Sequence, residues 1–287
     1  AGDTGLSAGD AMLGGEGKWA LWGRVGGLKA EYTPSGVNGF DTDMWGVTGG
    51  IDGEVAANTR IGLSAFYTSS DIEENGAGAN ASNTVDGYGA VAYASYRPGA
   101  WYVNGSLGYG FNSYESRRTS LGGVNTADYD GSQFVARTEI GRMFTAGRWD
   151  VTPNAGLRYN LVDVDAYTET GPLPTTVDAR TVESLRAAGG VNLRYTAELE
   201  GGARLIPELG VKVLSELADP DEAITGSVVG GGAFTTQTTP RDDVSYGVLG
   251  GLTFEGTNGI TLRVTYDGEF QSDYEEQSVS AAIRIAF

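Results

Sequence analysis

Charged side chains alternate with apolar ones, at a spacing of two residues, in many segments of this sequence. In a β-strand this spacing places the charged groups on one face and the apolar groups on the other. Guanidinium and carboxylate groups that share a face either pair with each other or set the electric field that a passing solute meets. The candidates are Arg24, Arg137, Glu139, Arg158, Arg186, Arg194, Glu208, Lys212, Arg263 and Arg284.

Catalytic chemistry is restricted because the 287 residues include neither histidine nor cysteine. Histidine is the usual general base near neutral pH and the commonest metal ligand, so serine–histidine and aspartate–histidine mechanisms are excluded. Missing cysteine excludes thiol nucleophiles, thiolate metal sites and disulfide scaffolds. Adjacent carboxylates such as Asp242 and Asp243 point apart in a strand or turn. We therefore predict a protein that is not an enzyme, with no catalytic residue, metal or cofactor.

The apolar half of the alternation is clearest at the C-terminus. An apolar outer face with a polar inner face is what a β-barrel in lipid requires, although a soluble β-sandwich would give the same alternation. Forty-six glycines and no apolar run near the roughly 20 residues of a membrane helix exclude a helical membrane protein. The terminal apolar residues are Val279, Ala281, Ile283, Ile285 and Phe287.

Twelve alternating segments are present, and the lengths of their connections also alternate. Short turns follow the even segments, whereas longer loops follow the odd ones, at about 31–42, 70–83, 116–129, 166–180, 216–239 and 271–275. An even strand count closes an antiparallel sheet without a free edge, and short periplasmic turns with long extracellular loops are typical of outer-membrane barrels. We predict an all-β, membrane-spanning, antiparallel up-and-down barrel of 12 strands, with both barrel termini periplasmic.

Charge is distributed unevenly over this predicted barrel. The net charge of −18 argues against nucleic acid as a partner. The lumen is expected to be net basic, and its arginines either pair with lumen carboxylates and hold the barrel's shape or act on whatever passes through. Acidic residues fall mainly in the predicted outer loops, namely Asp71, Glu73, Glu74, Asp219, Asp221, Glu222, Asp273, Glu275 and Glu276.

Several short motifs occur in a recognisable order from the second segment to the C-terminus. Together they resemble the translocator β-domain of autotransporters, the type V secretion family, over about residues 18–287. The motifs are 40–46 (FDTDMWG), 50–53 (GIDG), 60–63 (RIGL), 93–96 (YASY), 109–117 (YGFNSYESR), 153–159 (PNAGLRY), 167–171 (YTETG), 207–210 (PELG) and 283–287 (IRIAF).

This resemblance implies an outer-membrane translocator that brings an N-terminal passenger to the cell surface. The implied partners are outer-membrane lipid and lipopolysaccharide, the chain's own passenger, and the barrel assembly machinery that reads the terminal 279–287 signal; we expect a monomer. Residues 1–17 would be a residual linker, with about two helical turns over 6–13 lying in the pore. The chain lacks a signal peptide and the Asn-Asn pair of self-cleaving members, so we expect a mature or excised domain.

Two other functions fit the same residues. A 12-stranded diffusion channel for small anionic solutes would use the basic lumen and would need no passenger. An adhesin-like barrel would use its outer loops to bind a host surface, but these loops lack clusters of aromatic residues. We favour the translocator.

Overall fold

The protein forms a closed barrel of twelve antiparallel strands in a computed structural model that describes residues 18–35, 37–76, 79–218, 223–229, 231–237 and 243–287. The predicted linker, residues 1–17, lies outside the described residues. The barrel strands are β1 (Trp19–Tyr32), β2 (Gly39–Ala56), β3 (Thr59–Asn75), β4 (Ala81–Tyr96), β5 (Trp101–Ser120), β6 (Gly123–Arg142), β7 (Trp149–Val164), β8 (Arg180–Tyr195), β9 (Arg204–Glu216), β10 (Val244–Glu255), β11 (Ile260–Phe270) and β12 (Tyr274–Ala286).

Each barrel strand pairs with the next along the chain, and β12 closes the barrel by pairing with β1 from Ala20↔Ala286 to Tyr32↔Tyr274. Backbone hydrogen bonds extend this closure to the last residue, since Phe287 N donates to Trp19 O at 2.8 Å and Trp19 N to Phe287 O at 3.1 Å. A closed antiparallel sheet leaves no edge, so every strand can satisfy its backbone groups without water. The predicted strand number and closure are confirmed.

The two faces of the sheet follow the alternation of the sequence. Large apolar side chains such as Leu21, Leu63 and Leu107 are exposed on the outer face, whereas Asp52 and Ser245 are almost fully buried inside. This inversion of the usual soluble pattern is typical of a barrel whose outer surface contacts lipid. In the part of the chain that the structure describes, no helix has the length and apolar character to span a membrane.

The two ends of the barrel differ in their connections. At the turn end, where β1 begins and β12 ends, the connections are short, at 57–58, 97–100, 143–148, 196–203 and 256–259. At the other end, here the loop end, strand pairing continues through much of 31–42, 70–83 and 116–129, which the sequence had indicated as loops. Antiparallel pairing gives these backbone groups partners, so the segments form hairpins that extend the barrel strands.

Four short strands lie outside the barrel at the loop end and form a separate antiparallel sheet. They come from the β7–β8 and β9–β10 connections, and their bounds are Tyr167–Thr168, Thr175–Val177, Ala223–Val228 and Ala233–Gln237.

The β7–β8 connection, residues 165–179, is called the strap because it crosses to the β5–β6 hairpin. Glu169 forms an ion pair with Arg118, and Leu173 N donates to Asn125 Oδ1 at 3.0 Å. The rings of Tyr167 and Tyr129 are stacked with their centroids 4.0 Å apart. Arg118, Asn125 and Tyr129 belong to the inward face of the hairpin, so the strap bends towards the barrel axis.

Candidate functional site: the lumen of the barrel

Three adjoining cavities follow one another along the lumen from the turn end to the loop end. The first, about 250 Å³, shares Glu139 and Lys212 with the second, about 170 Å³. The second shares Arg137 and Arg158 with the third, about 430 Å³, which reaches Glu276 near the loop end. Neighbouring cavities share wall residues and therefore lie next to each other along the barrel axis. We call the first cavity and its wall the turn half of the lumen, and the third cavity and its wall the loop half. The second cavity lies at the boundary between them.

The carboxylate of Asp52 is the centre of one buried cluster in the turn half. Arg284 donates to both of its oxygens, at 2.6 and 2.5 Å, and Arg60 Nε donates to Oδ1 at 2.5 Å. The Tyr93 hydroxyl donates to Oδ2 at 3.2 Å and accepts from Trp22 Nε1 at 2.5 Å. A charge with no exposed area is tolerated only when it is paired and hydrogen-bonded, and Asp52 meets both conditions.

Glu208 is the centre of a second buried cluster, which joins three neighbouring regions of the wall. Its Oε1 lies 3.0 Å from Arg194 Nε on β8, and its Oε2 accepts from Arg263 Nη2 on β11 at 2.8 Å. One carboxylate therefore compensates two guanidinium groups that would otherwise repel each other.

A third ionic group lies further along the same wall, towards the loop end. Glu269 forms an ion pair with Arg186 and accepts a 2.8 Å hydrogen bond from Ser245. Asp267, two residues earlier on β11, lies 3.0 Å from Lys212 Nζ. The β8–β11 wall is thus cross-linked by ion pairs along much of its height.

The other sequence candidates also face the lumen. Arg24 donates to Ser280 Oγ at 2.7 Å, and Glu139 accepts from the Tyr102 hydroxyl at 2.6 Å. Arg137, Arg158 and Arg186 stand directly opposite one another on β6, β7 and β8. Three adjacent guanidinium groups concentrate positive potential at the boundary between the two halves.

Several lumen charges were missed from the sequence. Asp267, Glu269 and Arg60 lie at inward positions of their strands, and the alternation of β11 and β3 was the available signal. Glu276 was assigned to an outer loop, but it belongs to β12 and is buried, accepting from Tyr274 at 2.6 Å. The additional carboxylates make the lumen less basic than the sequence indicated.

The loop half has a different wall. Its cavity is bordered mainly by apolar side chains of β1 to β7, and Leu28, Ala30, Tyr32 and Tyr274 form a buried cluster there. Further apolar members of this wall are Phe40, Met44, Phe66, Ile72, Val85, Val91, Val135 and Val162. This apolar surface was not expected, because the inward positions had been predicted to be polar throughout.

The lumen as described contains no group of three or more acidic side chains arranged to hold a metal ion.

Comparison with known proteins identifies the family. A sequence profile described as the autotransporter β-domain matches residues 21–267. The chain belongs to the autotransporter β-domain family. Its fold is that of an outer-membrane translocator domain, as the sequence resemblance predicted. The diffusion-channel alternative has less support.

Solved structures agree on the fold. The translocator domain of NalP from Neisseria meningitidis matches with a TM-score of 0.79 at 19% identity, covering 99% of this chain and 93% of that chain. The β-domain of the Bordetella autotransporter BrkA matches with a TM-score of 0.71 at 18% identity, covering 94% of this chain and 100% of that chain.

Curated relatives are longer proteins. The probable autotransporter YpjA of Escherichia coli is 27% identical over 72% of this chain and 14% of its own length. The esterase EstA of Pseudomonas aeruginosa is 24% identical over 94% of this chain and 43% of its own length. The chain thus spans less than half the length of either relative.

Proposed function

We propose that this barrel delivers an N-terminal passenger through the outer membrane, and that the passenger is its principal partner. The observation that carries this proposal is the succession of three adjoining cavities along the lumen, from Arg97 at the turn end to Tyr274 at the loop end. A hydrated wall lets an extended chain keep its backbone groups hydrogen-bonded to water while it passes.

In this proposal the turn end, with both barrel termini, is periplasmic. Residues 1–17 serve as the linker between passenger and barrel. Seventeen extended residues reach about 58 Å, which exceeds the roughly 30 Å hydrocarbon core of a bilayer. The linker is therefore long enough to join a passenger outside the cell to a barrel strand that begins on the periplasmic side.

We assign two roles to the ten charged candidates. Arg186, Arg194, Glu208, Lys212, Arg263 and Arg284 brace the wall through their carboxylate or guanidinium partners. Arg24, Arg137, Arg158 and Glu139 adjoin the cavities and set the field there. We place no catalytic step in the barrel, since the sequence offers no histidine or cysteine.

The test places a signal peptide and an epitope tag before Ala1 in a Gram-negative host, followed by protease treatment of intact cells. Removal of the tag, with a periplasmic marker protein left intact, is the expected result. A second pair of tags reports orientation. A tag at Asn258 in the turn end should be protected, whereas one between Val229 and Gly232 at the loop end should be cut.

The opposite results have different meanings. A folded barrel whose N-terminal tag stays protected, while the 229–232 tag is cut, would contradict passenger delivery and leave the orientation intact. In that case the cluster of Arg24, Arg97 and Arg263 around the first cavity would favour a channel for small anionic solutes, which conductance measurements would test.

We also propose that the C-terminal residues Val279, Ala281, Ile283, Ile285 and Phe287 form the signal read by the assembly machinery. All five are outward-facing or terminal, and the Phe287 side chain is 64% exposed, so a partner can reach it. We expect Phe287→Ala to lower the amount of assembled barrel in cells severalfold, because the assembly machinery would no longer recognise the C-terminus. Little native packing is lost in this variant, so reduced stability of the folded barrel would not explain the effect. Equal assembly of this variant and the wild type, measured by heat-modifiable mobility, would contradict the proposal.

A further inference from the structure

Arg142 is a cation on the lipid-facing side of the barrel, at the turn end of β6. Its direct neighbour across the β5–β6 ladder is Trp101, whose side chain points outward and is 47% exposed. Phe144, two residues later on the same face, is also exposed. The surroundings of this guanidinium are therefore aromatic and open to the membrane boundary.

Both rings lie within cation–π distance of the guanidinium. The Arg142 Cζ atom lies 5.4 Å from the centroid of Trp101 and 4.8 Å from that of Phe144. Attraction between a cation and the negative faces of the rings restricts the side chain. The planar guanidinium is consequently fixed at the surface before any ligand arrives.

A local interruption of the sheet keeps this position accessible. The β6–β7 ladder runs to Gly141↔Asn154 and resumes at Phe144↔Val151, so Arg142 faces Pro153 without a ladder pair. Proline has no N–H to donate, which explains the gap. The third neighbour of Arg142 is thus another apolar residue.

No carboxylate in the described part of the chain forms an ion pair or hydrogen bond with Arg142, although acidic residues outnumber basic ones by 37 to 19 in the whole sequence. At the same end of the barrel, Arg204 has such a partner in Glu255, 2.6 Å away. A cation fixed among apolar groups at a membrane boundary requires an anion, and a phosphate diester matches the donor fork of guanidinium.

We propose that Arg142, beside Trp101 and Phe144, binds the phosphate group of a phospholipid in the leaflet that meets the turn end of the barrel. The aromatic rings lie at the depth of the interface, where headgroups meet hydrocarbon, and the guanidinium donates to the phosphate oxygens. This site depends on membrane insertion and is independent of passenger delivery.

Native mass spectrometry of the purified, refolded barrel with added phosphatidylglycerol tests the site. We expect the wild type to retain one phospholipid that Arg142→Gln binds about tenfold more weakly, the effect of losing a charge-assisted hydrogen bond. Arg204→Gln is the matched control, because it removes a cation at the same end that already has a carboxylate. Its retention of phospholipid should equal that of the wild type.

Two further measurements keep the proposal falsifiable. Replacing both Trp101 and Phe144 with leucine retains Arg142 and should also weaken binding; unchanged binding would overturn the role of the rings. Inorganic phosphate at millimolar concentration should not displace the lipid, and complete displacement would make this a free-anion site. Equal losses in the Arg142 and Arg204 variants would reduce the effect to general charge attraction and overturn the proposal.

Discussion

The turn half and the loop half of the lumen are built differently although the same strands pass through both. In the turn half, Asp52 and Glu208 each bind two cationic side chains. In the loop half, Leu28, Tyr32 and Tyr274 pack against one another inside an apolar cavity wall. The turn half is held by directional ion pairs, whereas the β1–β7 side of the loop half is held by non-directional apolar contact.

This difference gives the two halves of the lumen different mechanical properties. Ion pairs fix distances between strands that are far apart in sequence, as Asp52 and Arg284 are, 232 positions from each other. Apolar contacts can be exchanged for contacts with another apolar surface at little cost. We infer that the turn half maintains the barrel's cross-section, while the loop half adapts to a chain or solute inside it.

The largest expected effect comes from removing the carboxylate at the centre of the turn half. Asp52→Asn removes the carboxylate charge that the buried guanidinium of Arg284 and the partly buried one of Arg60 share. Breaking a buried ion pair from one side costs about 3–5 kcal/mol of unfolding free energy. Urea unfolding of the barrel in phospholipid vesicles measures this loss.

Asp43→Asn is the control for Asp52→Asn. Asp43 pairs with Lys29 at 2.6 Å on the outer surface, where both side chains are largely exposed. An exposed pair contributes about 0–1 kcal/mol, so this variant should unfold near the wild-type urea concentration. Similar losses in the two variants would remove the distinction between bracing and surface pairs.

Alternation along the strands indicated which side chains share a face, because side chains in a strand change face at every residue. It could not predict which charges would meet. Arg284 reaches Asp52 only because β12 pairs with β1 in one register, and that register is set by closure of the whole barrel. Arg97 was missed for a related reason: it belongs to the β4–β5 turn, where the alternation does not apply, yet it adjoins the first cavity.

The loop half was harder to predict from sequence. In β4, glycine and alanine occupy both faces, so the alternation is weak and the inward Val85 and Val91 gave no clear signal. The position of the strap could not be predicted from the sequence either. Glu169 and Arg118 are 51 positions apart, and the bend that brings them together has no periodic pattern of residues.

Glycine contacts give the second comparison of the halves. A Cβ atom on Gly62 in the turn half would lie 2.5 Å from the Tyr93 hydroxyl oxygen, whereas on Gly110 in the loop half it would lie 3.0 Å from Phe66 Cζ. Gly62→Val overpacks the wall and should cost about 1–3 kcal/mol, with Gly110→Ala costing less. Gly189→Val, where no atom lies within 4 Å of the added Cβ, is the control. Thermal unfolding in detergent gives the order, and a larger loss at Gly110 would reverse the comparison.

Arg158 lies at the boundary between the halves, so its charge can be changed with little structural effect. Arg158→Glu places a carboxylate between Arg137 and Arg186, its neighbours across the sheet. Relief of repulsion should leave the unfolding free energy within about 1 kcal/mol of wild type. The reversal potential of the pore in a KCl gradient should shift towards cation selectivity.

Arg194→Glu is compared with Arg158→Glu to distinguish residues that set the electric field from residues that brace the wall. In the wild type, Glu208 lies 3.0 Å from the Arg194 guanidinium. The variant replaces this guanidinium with a second carboxylate, and repulsion between the two carboxylates should destabilise the barrel. We expect ion selectivity to change in both variants and stability to fall only in Arg194→Glu. This result would support a field role for Arg158 and a bracing role for Arg194. An unchanged ion preference in Arg158→Glu would assign Arg158 to bracing as well.

The smallest expected effect concerns the strap, where the loop half has an ionic contact of its own. Burial raises the pKa of Glu169, but hydrogen bonds from Arg118 and Thr175 outweigh it and hold that pKa below its ordinary value. A carboxyl group with a depressed pKa stabilises the folded state at pH values above its ordinary pKa, about 4.3 for glutamate. This stability is lost as the pH falls through the folded-state pKa.

Amide hydrogen exchange in 165–179 should therefore accelerate in acid, after correction for intrinsic rates, while exchange in β1 and β12 stays slow. Glu169→Gln should exchange rapidly in the strap at neutral pH and lose the acid dependence. If the strap of this variant exchanged as slowly as wild type, stacking of Tyr129 and Tyr167 would be its main attachment to the barrel.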